Sequence, residues 1–90
     1  VPAVPSPIVG AIKADGSAAK AGLKVGDRII SFNGVENPTW RRMEMDTLLL
    51  ADKATPIIVD RAGQKVSLEI TPTSGDFNGQ KIGVLDMEVD

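Results

Sequence analysis

Turn-forming pairs cut this chain into short pieces, and that limits its fold more than any other feature. Asp15-Gly16, Gly26-Asp27, Asn33-Gly34 and Ala62-Gly63 each mark a turn, and Ser74–Gly79 reads as a loop. The segments between them suit short strands or a helix of a few turns. Ile8–Ile12 is an apolar run and reads as a buried strand. Ser17–Leu23 reads as a short helix, with Ser17 as its cap and Gly22 as its left-handed stop. Arg28–Phe32 is a strand whose alternation pairs Ile30 with Phe32 and Ile29 with Ser31. A second helix runs from Trp40 to near Leu50 under a Thr39 cap, with Trp40, Met43, Thr47 and Leu50 on one face. Ile57–Arg61 and Gln64–Ile70 form a hairpin with Val66, Leu68 and Ile70 inward, and Ile82–Val89 is the last strand.

About five strands and two helices make the fold class mainly β, a small antiparallel sandwich or partial barrel capped by helices. Ninety residues hold one domain. Three of the six prolines fall in Val1–Pro7, an extended lead-in, so the domain covers residues 8–90. Phe32, Trp40 and Phe77 are the only aromatic residues, which leaves the core to Ile, Val, Leu and Met. A net charge of −2 argues against nucleic acid as a partner. The chain has no cysteine and no histidine. Disulfides, thiol catalysis, a histidine triad and His or Cys metal sites are thereby excluded within it. No apolar run approaches the roughly 20 residues that cross a bilayer. The first residue is Val, so a longer parent protein is expected, with any anchor or catalytic centre elsewhere in it.

One glycine stands out. Lys81-Ile82-Gly83-Val84 opens the last strand, and a glycine inside a strand weakens it. It marks either a bulge or close crossing, or a place where a ligand's backbone approaches.

The block Ser17–Gly34, "SAAKAGLKVGDRIISFNG", closely resembles the core signature of a PDZ domain: a small-residue helix stopped at glycine, a Gly-Asp turn, a strand and an Asn-Gly turn. In that family an extended peptide lies between a helix and a strand. The loop before that strand, of the form x-Φ-G-Φ with Φ apolar, takes the peptide's terminal carboxylate. Here the matching run is Lys81–Val84, at the end of the chain, whereas HtrA-type serine proteases carry their loop before the small-residue helix. The circularly permuted order, with the peptide-binding strand at the C-terminus, resembles the PDZ domains of bacterial site-2 proteases, which are membrane-embedded zinc metalloproteases. Pro7–Gly10, Trp40, "DRAGQKVSLEITP" (Asp60–Pro72) and "GQKIGV" extend the likeness along most of the chain.

The resemblance implies a non-catalytic, peptide-binding regulatory module that controls substrate access to a site-2-type protease by capturing C-termini or extended segments. Its alternatives are a steric filter with an unoccupied groove, or a module of an HtrA-like or C-terminal processing serine protease. The implied peptide site is Gln80, Lys81, Ile82, Gly83 and Val84 from the loop, with Trp40, Met43, Thr47 and Leu48 from the helix. Gly83 would let backbone N–H groups turn toward the carboxylate, and Gly83→Val is expected to weaken capture in a domain that stays folded. No cofactor is expected in the domain, and zinc is expected in the parent. Expected partners are peptide C-termini or extended segments and the parent's membrane-embedded catalytic domain. The isolated domain is expected to be monomeric, on the extracytoplasmic, periplasmic face of the inner membrane. Arg41 and Arg42 read as solvated, and as more polar than such a groove helix usually is. Asp86, Glu88 and Asp90 alternate on one strand face and read as an exposed polar face rather than a metal site. Asp76-x-Asn78-Gly79 opens like a calcium loop but lacks the later ligands.

Overall fold

The same turn chemistry closes three hairpins in the computed structural model, which describes residues 6–90. Asn33-Gly34, Ala62-Gly63 and Asn78-Gly79 have positive φ at both positions, 52° and 82°, 52° and 87°, and 51° and 81°. That is the turn whose twist matches its flanking strands. The first joins β2 (Arg28–Phe32) to β3 (Val35–Glu36), and the second joins β4 (Thr55–Arg61) to β5 (Gln64–Ile70). The third joins β6 (Thr73–Phe77) to β7 (Gln80–Val84). It replaces the loop expected over Ser74–Gly79, because Gly75 and Asp76 are poor strand formers and conceal the pattern.

β3, β2, β4 and β5 form a four-stranded antiparallel sheet in that order. β1 (Val9–Ile12) pairs with β8 (Met87–Val89), and β6 pairs with β7, each pair antiparallel. With helices α1 (Ser17–Ala21) and α2 (Trp40–Thr47), this is the expected mainly β fold. The last strand expected over Ile82–Val89 is divided between β7 and β8. Leu85-Asp86 breaks it, with Asp86 at φ 60°. Val1–Pro5, most of the expected lead-in, lie outside the described residues. Pro7 is already part of the domain: it is buried, and its carbonyl accepts from the Ile29 N–H at 2.9 Å.

The core gathers Val9, Leu23, Ile29, Phe32, Met43, Ile57, Val59, Ile70 and Leu85. Val66 and Leu68 pack against it partly buried, on the same face as Ile70. In β2 the expected alternation fails. The pairing with β4 slips between Ile29 and Ser31. This bulge puts both Ile29 and Phe32 in the core and leaves Ile30 half-buried.

α1 is too short to be stable alone and is fastened at both ends. At its C-terminus Gly22 is left-handed at φ 93°, and the Leu23 N–H returns to the Ala18 carbonyl at 3.1 Å. Arg61 reaches this end, donating from Nη2 to the Gly22 carbonyl at 2.9 Å. The same guanidinium grips the buried Asp27, Nε to Oδ1 at 2.9 Å and Nη2 to Oδ2 at 2.8 Å. The Lys24 N–H adds a third bond at 2.9 Å. The Arg61 hydrogen bonds hold the Asp27 carboxyl below its ordinary value, against the opposing effect of burial.

The N-terminus of α1 departs from expectation. Ser17 is the first helical residue, Gly16 occupies the cap position, and no side chain there closes the turn. Asp86, distant in sequence, does so instead. Its Oδ2 accepts from the Ser17 N–H at 3.0 Å and from the Thr73 hydroxyl at 2.5 Å. The Ser17 hydroxyl lies within 2.8 Å of the Leu85 carbonyl, 3.1 Å of the Val84 carbonyl and 3.2 Å of Asp86 Oδ2.

Candidate functional site

α2 has its expected cap: Thr39 Oγ1 accepts from the Arg42 N–H at 3.1 Å. Its inner face is Met43 and Thr47, both buried, while Trp40 and Leu50 pack against the core partly exposed. Met45 and Leu49 are exposed, as their helical spacing requires. The Thr47 hydroxyl bonds back to the Met43 carbonyl at 2.5 Å. The helix ends at Thr47, short of the expected Leu50.

The reason for the ending is β7. The Gly83 N–H donates to the Leu48 carbonyl at 3.2 Å, so the strand edge terminates the helix. The approach is too close for any side chain. A Cβ on Gly83 would overlap the Thr47 carbonyl oxygen and come within 3.0 Å of the Ala51 nitrogen. Gly83 is therefore glycine because α2 crosses it. Its φ is not in the left-handed region.

A groove of about 280 Å³ lies beside this junction. Trp40, Glu44 and Thr47 of α2 form one wall, and the segment Gly83–Met87 forms the other. The strand leading out of that segment, β8, pairs with β1 on one side and with no strand on the other among the described residues. The site is thus a helix, a largely apolar cleft and a segment leading into a strand with a spare edge.

Of the residues singled out from sequence, Trp40, Thr47, Gly83 and Val84 meet in this groove. Met43 does not reach it and is 0% exposed in the core. Leu48, Gln80, Lys81 and Ile82 line a separate hollow with Leu49. Lys81 there reaches Asp52, Nζ to Oδ2 at 2.6 Å, in an exposed pair. Gly83 is expected to let backbone N–H groups of this run turn toward a carboxylate, and its own N–H is bonded to the Leu48 carbonyl.

Sequence reasoning missed Glu44 as a wall residue and, although the added strand is expected beside Ile82–Met87, did not single out Leu85, Asp86 or Met87. Glu44 is signalled by its position one helical turn after Trp40 and one before Thr47. Asp86 carries no such signal, since its place depends on a left-handed backbone that its residue type only tolerates. Burial opposes its ionisation, yet the bonds from Thr73 and Ser17 prevail and hold its carboxyl below the ordinary value. Lys13, just past the end of β1, adds a smaller attraction.

No group of His, Cys, Asp and Glu among the described residues is arranged to hold a metal ion. No helix among them is long and apolar enough to cross a membrane.

Comparison with known proteins fits this geometry. Residues 8–54 match the PDZ domain family. The chain is 32% identical over 84 residues to the zinc metalloprotease RasP of Geobacillus kaustophilus, covering 91% of this chain and 20% of that protein. It is 32% identical over 79 residues to the regulator of sigma-E protease RseP of Salmonella typhimurium, covering 86% of this chain and 17% of that one. With RseP of Escherichia coli it shares 30% over 82 residues, 91% of this chain and 18% of that protein. The chain spans about a fifth of the length of these relatives. These relatives bear the names of a zinc metalloprotease and of regulators of sigma-E protease, and the chain itself belongs to the PDZ domain family.

Proposed function

We propose that this domain is the non-catalytic, peptide-binding regulatory module of a membrane-bound site-2-type zinc metalloprotease. Its groove captures C-termini or extended segments of protein substrates and so controls their access to the catalytic domain. The observation that carries this reading is the cleft between α2 and Gly83–Met87, set beside the unpaired edge of β8. A guest strand gains backbone hydrogen bonds there, and one apolar side chain rests against Trp40, Val84 and Met87.

The energetics favour weak binding. A few strand bonds at about 0.5–1.5 kcal/mol each and one buried aliphatic group at about 1.5–3 kcal/mol reach about −8 kcal/mol only before the cost of association is subtracted. Affinity weaker than about 1 μM, or −8 kcal/mol, follows, which suits a gate that must release what it captures.

The zinc and the reaction belong to other parts of such a protease. With neither His nor Cys, this chain has no donor set for a zinc of that kind. In this reading the domain lies on the extracytoplasmic, periplasmic side of the membrane. The test is titration of the 90-residue chain with short peptides, followed by amide NMR. Saturable shifts at Trp40, Thr47 and Val84–Met87 are expected. An absence of saturation at millimolar peptide overturns capture and leaves a steric filter.

A further inference from the structure

We infer that the groove takes an interior, extended segment carrying a basic side chain, rather than a free C-terminus. The inference rests on the peptide-binding reading above and deepens it.

A terminal carboxylate needs convergent donors or a cation where it ends. The backbone donor at the glycine is spent, since the Gly83 N–H is bonded to the Leu48 carbonyl at 3.2 Å. The run around it is no curled anion loop, because Gln80–Val84 pairs residue by residue with β6. The one cation in that run, Lys81, faces Asp52 and lines the separate hollow. The groove wall contains no lysine or arginine. Arg42, on the first turn of α2, is engaged by Asp46 at 2.9 Å.

What the groove does contain is negative. Glu44 stands exposed on the helix wall, and the half-buried Asp86 on the strand wall. Asp86 is largely satisfied by Ser17 and Thr73 and is partly offset by Lys13. Among the residues that line the groove, Glu44 is therefore the principal unsatisfied charge. It repels a carboxylate and attracts an ammonium or guanidinium. A guest with no terminus in the groove can leave over Val84, which is 38% exposed. Its backbone pairs along the edge of β8, and its alternate side chains enter the cleft.

The experiment uses the 90-residue chain and a set of short Val- and Thr-rich peptides, acetylated and amidated, with Lys, Gln or Glu at one central position. Each peptide is also made with a free carboxylate. The amidated Lys peptide is expected to bind about two- to fivefold tighter than its Glu counterpart, the range of an exposed ion pair. Freeing the carboxylate is expected to leave affinity unchanged or to weaken it. Glu44→Gln should abolish the Lys-over-Glu preference. Two results overturn the inference and leave peptide binding intact: a free C-terminus that binds several-fold tighter than its amide, with shifts at Ile82–Val84, or a Lys preference that survives Glu44→Gln. If none of the peptides binds, the failure is of the peptide-binding reading itself.

Discussion

The two ends of α1 are fastened by the same kind of group in opposite ways. At the C-terminal end Asp27 meets a guanidinium in a two-pronged pair, and the whole cluster comes from residues 22–61. At the N-terminal end Asp86 meets an N–H and two hydroxyls, and it arrives from almost the far end of the chain. The first cluster ties helix to sheet behind the fold. The second also sets one wall of the groove, because Asp86 and its neighbours Leu85 and Met87 line the cleft. The difference separates two tasks. A charge-paired corner holds the scaffold, and a corner of largely neutral donors positions the strand wall of the groove. Loss of the first should lower stability and leave the groove's shape alone, while loss of the second should alter the groove.

The largest effect is expected on the groove side, at Gly83. Gly83→Ala adds a methyl group where the Thr47 carbonyl already lies. Either α2 or β7 must move, and the bond from Gly83 to Leu48 is lost with the move. The expected cost is about 3 kcal/mol or more, read as a fall in the urea midpoint, and Gly83→Val should be worse. This replaces the expectation that Gly83→Val leaves a sound domain with a weakened site. A variant as stable as the parent would show that the junction is loose and that β7 can open toward a ligand.

Asp27→Ala is the matching break on the scaffold side. Asp27 is 1% exposed and accepts from Lys24 and Arg61. Its removal should cost about 2–3 kcal/mol, with amide shifts confined to Lys24, Arg28 and Arg61 and peptide affinity unchanged. A change in peptide affinity equal to that of a groove variant would erase the distinction between the two ends.

The same division governs how much of the molecule is legible in its sequence. The scaffold side is built from neighbours. Gly22 stops α1, Asn33-Gly34 and Ala62-Gly63 turn the chain, and the period-2 pattern of Val66, Leu68 and Ile70 gives β5 its face. Each is a local preference that the structure keeps. The bulge at Ile29–Ser31 is the exception, because a bulge leaves no mark in residue type. On the groove side the deciding contacts join residues far apart. Ser17 was read as a cap through its side chain, but its N–H is taken by Asp86 and its hydroxyl turns to the Val84 and Leu85 carbonyls. Gly83 was readable as special, and both of its local readings stood open. The crossing of α2 over it depends on tertiary packing. Local propensity also hid β6, since only the partner strand β7 makes Thr73–Phe77 extended.

A milder break of the groove side is Asp86→Ala. Three donors lose their common acceptor, and a residue less tolerant of positive φ takes its place. A loss of about 1–2 kcal/mol is expected, with amide shifts at Ser17, Thr73 and Leu85–Met87 and weaker peptide binding. Asp86→Gly accepts the left-handed backbone without strain, so it should recover part of the stability and none of the hydrogen bonding. If both variants bind peptide like the parent, Asp86 holds α1 only and has no part in shaping the cleft.

The smallest effect is the most discriminating, because it separates the two carboxyls by the source of their acidity. Both are held below the ordinary carboxyl value in the folded chain. Each therefore contributes stability that is complete above the unfolded value, about 3.9, and is lost as pH falls through the folded value. Unfolding measured between neutral pH and strong acid should show this loss. Arg61→Lys then tells the two apart. Lysine keeps the positive charge but cannot hold both oxygens of Asp27 and the Gly22 carbonyl in one planar fork. The Asp27 carboxyl, followed by its carbonyl carbon in NMR, should titrate at higher pH in this variant. Asp86 should stay where it is, since its carboxyl is held by hydrogen bonds from Thr73 and Ser17 and by the charge of the neighbouring Lys13, none of which involves Arg61. An equal shift of both carboxyls would mean that a field common to the two ends of α1, rather than the local donors at each, sets their acidity.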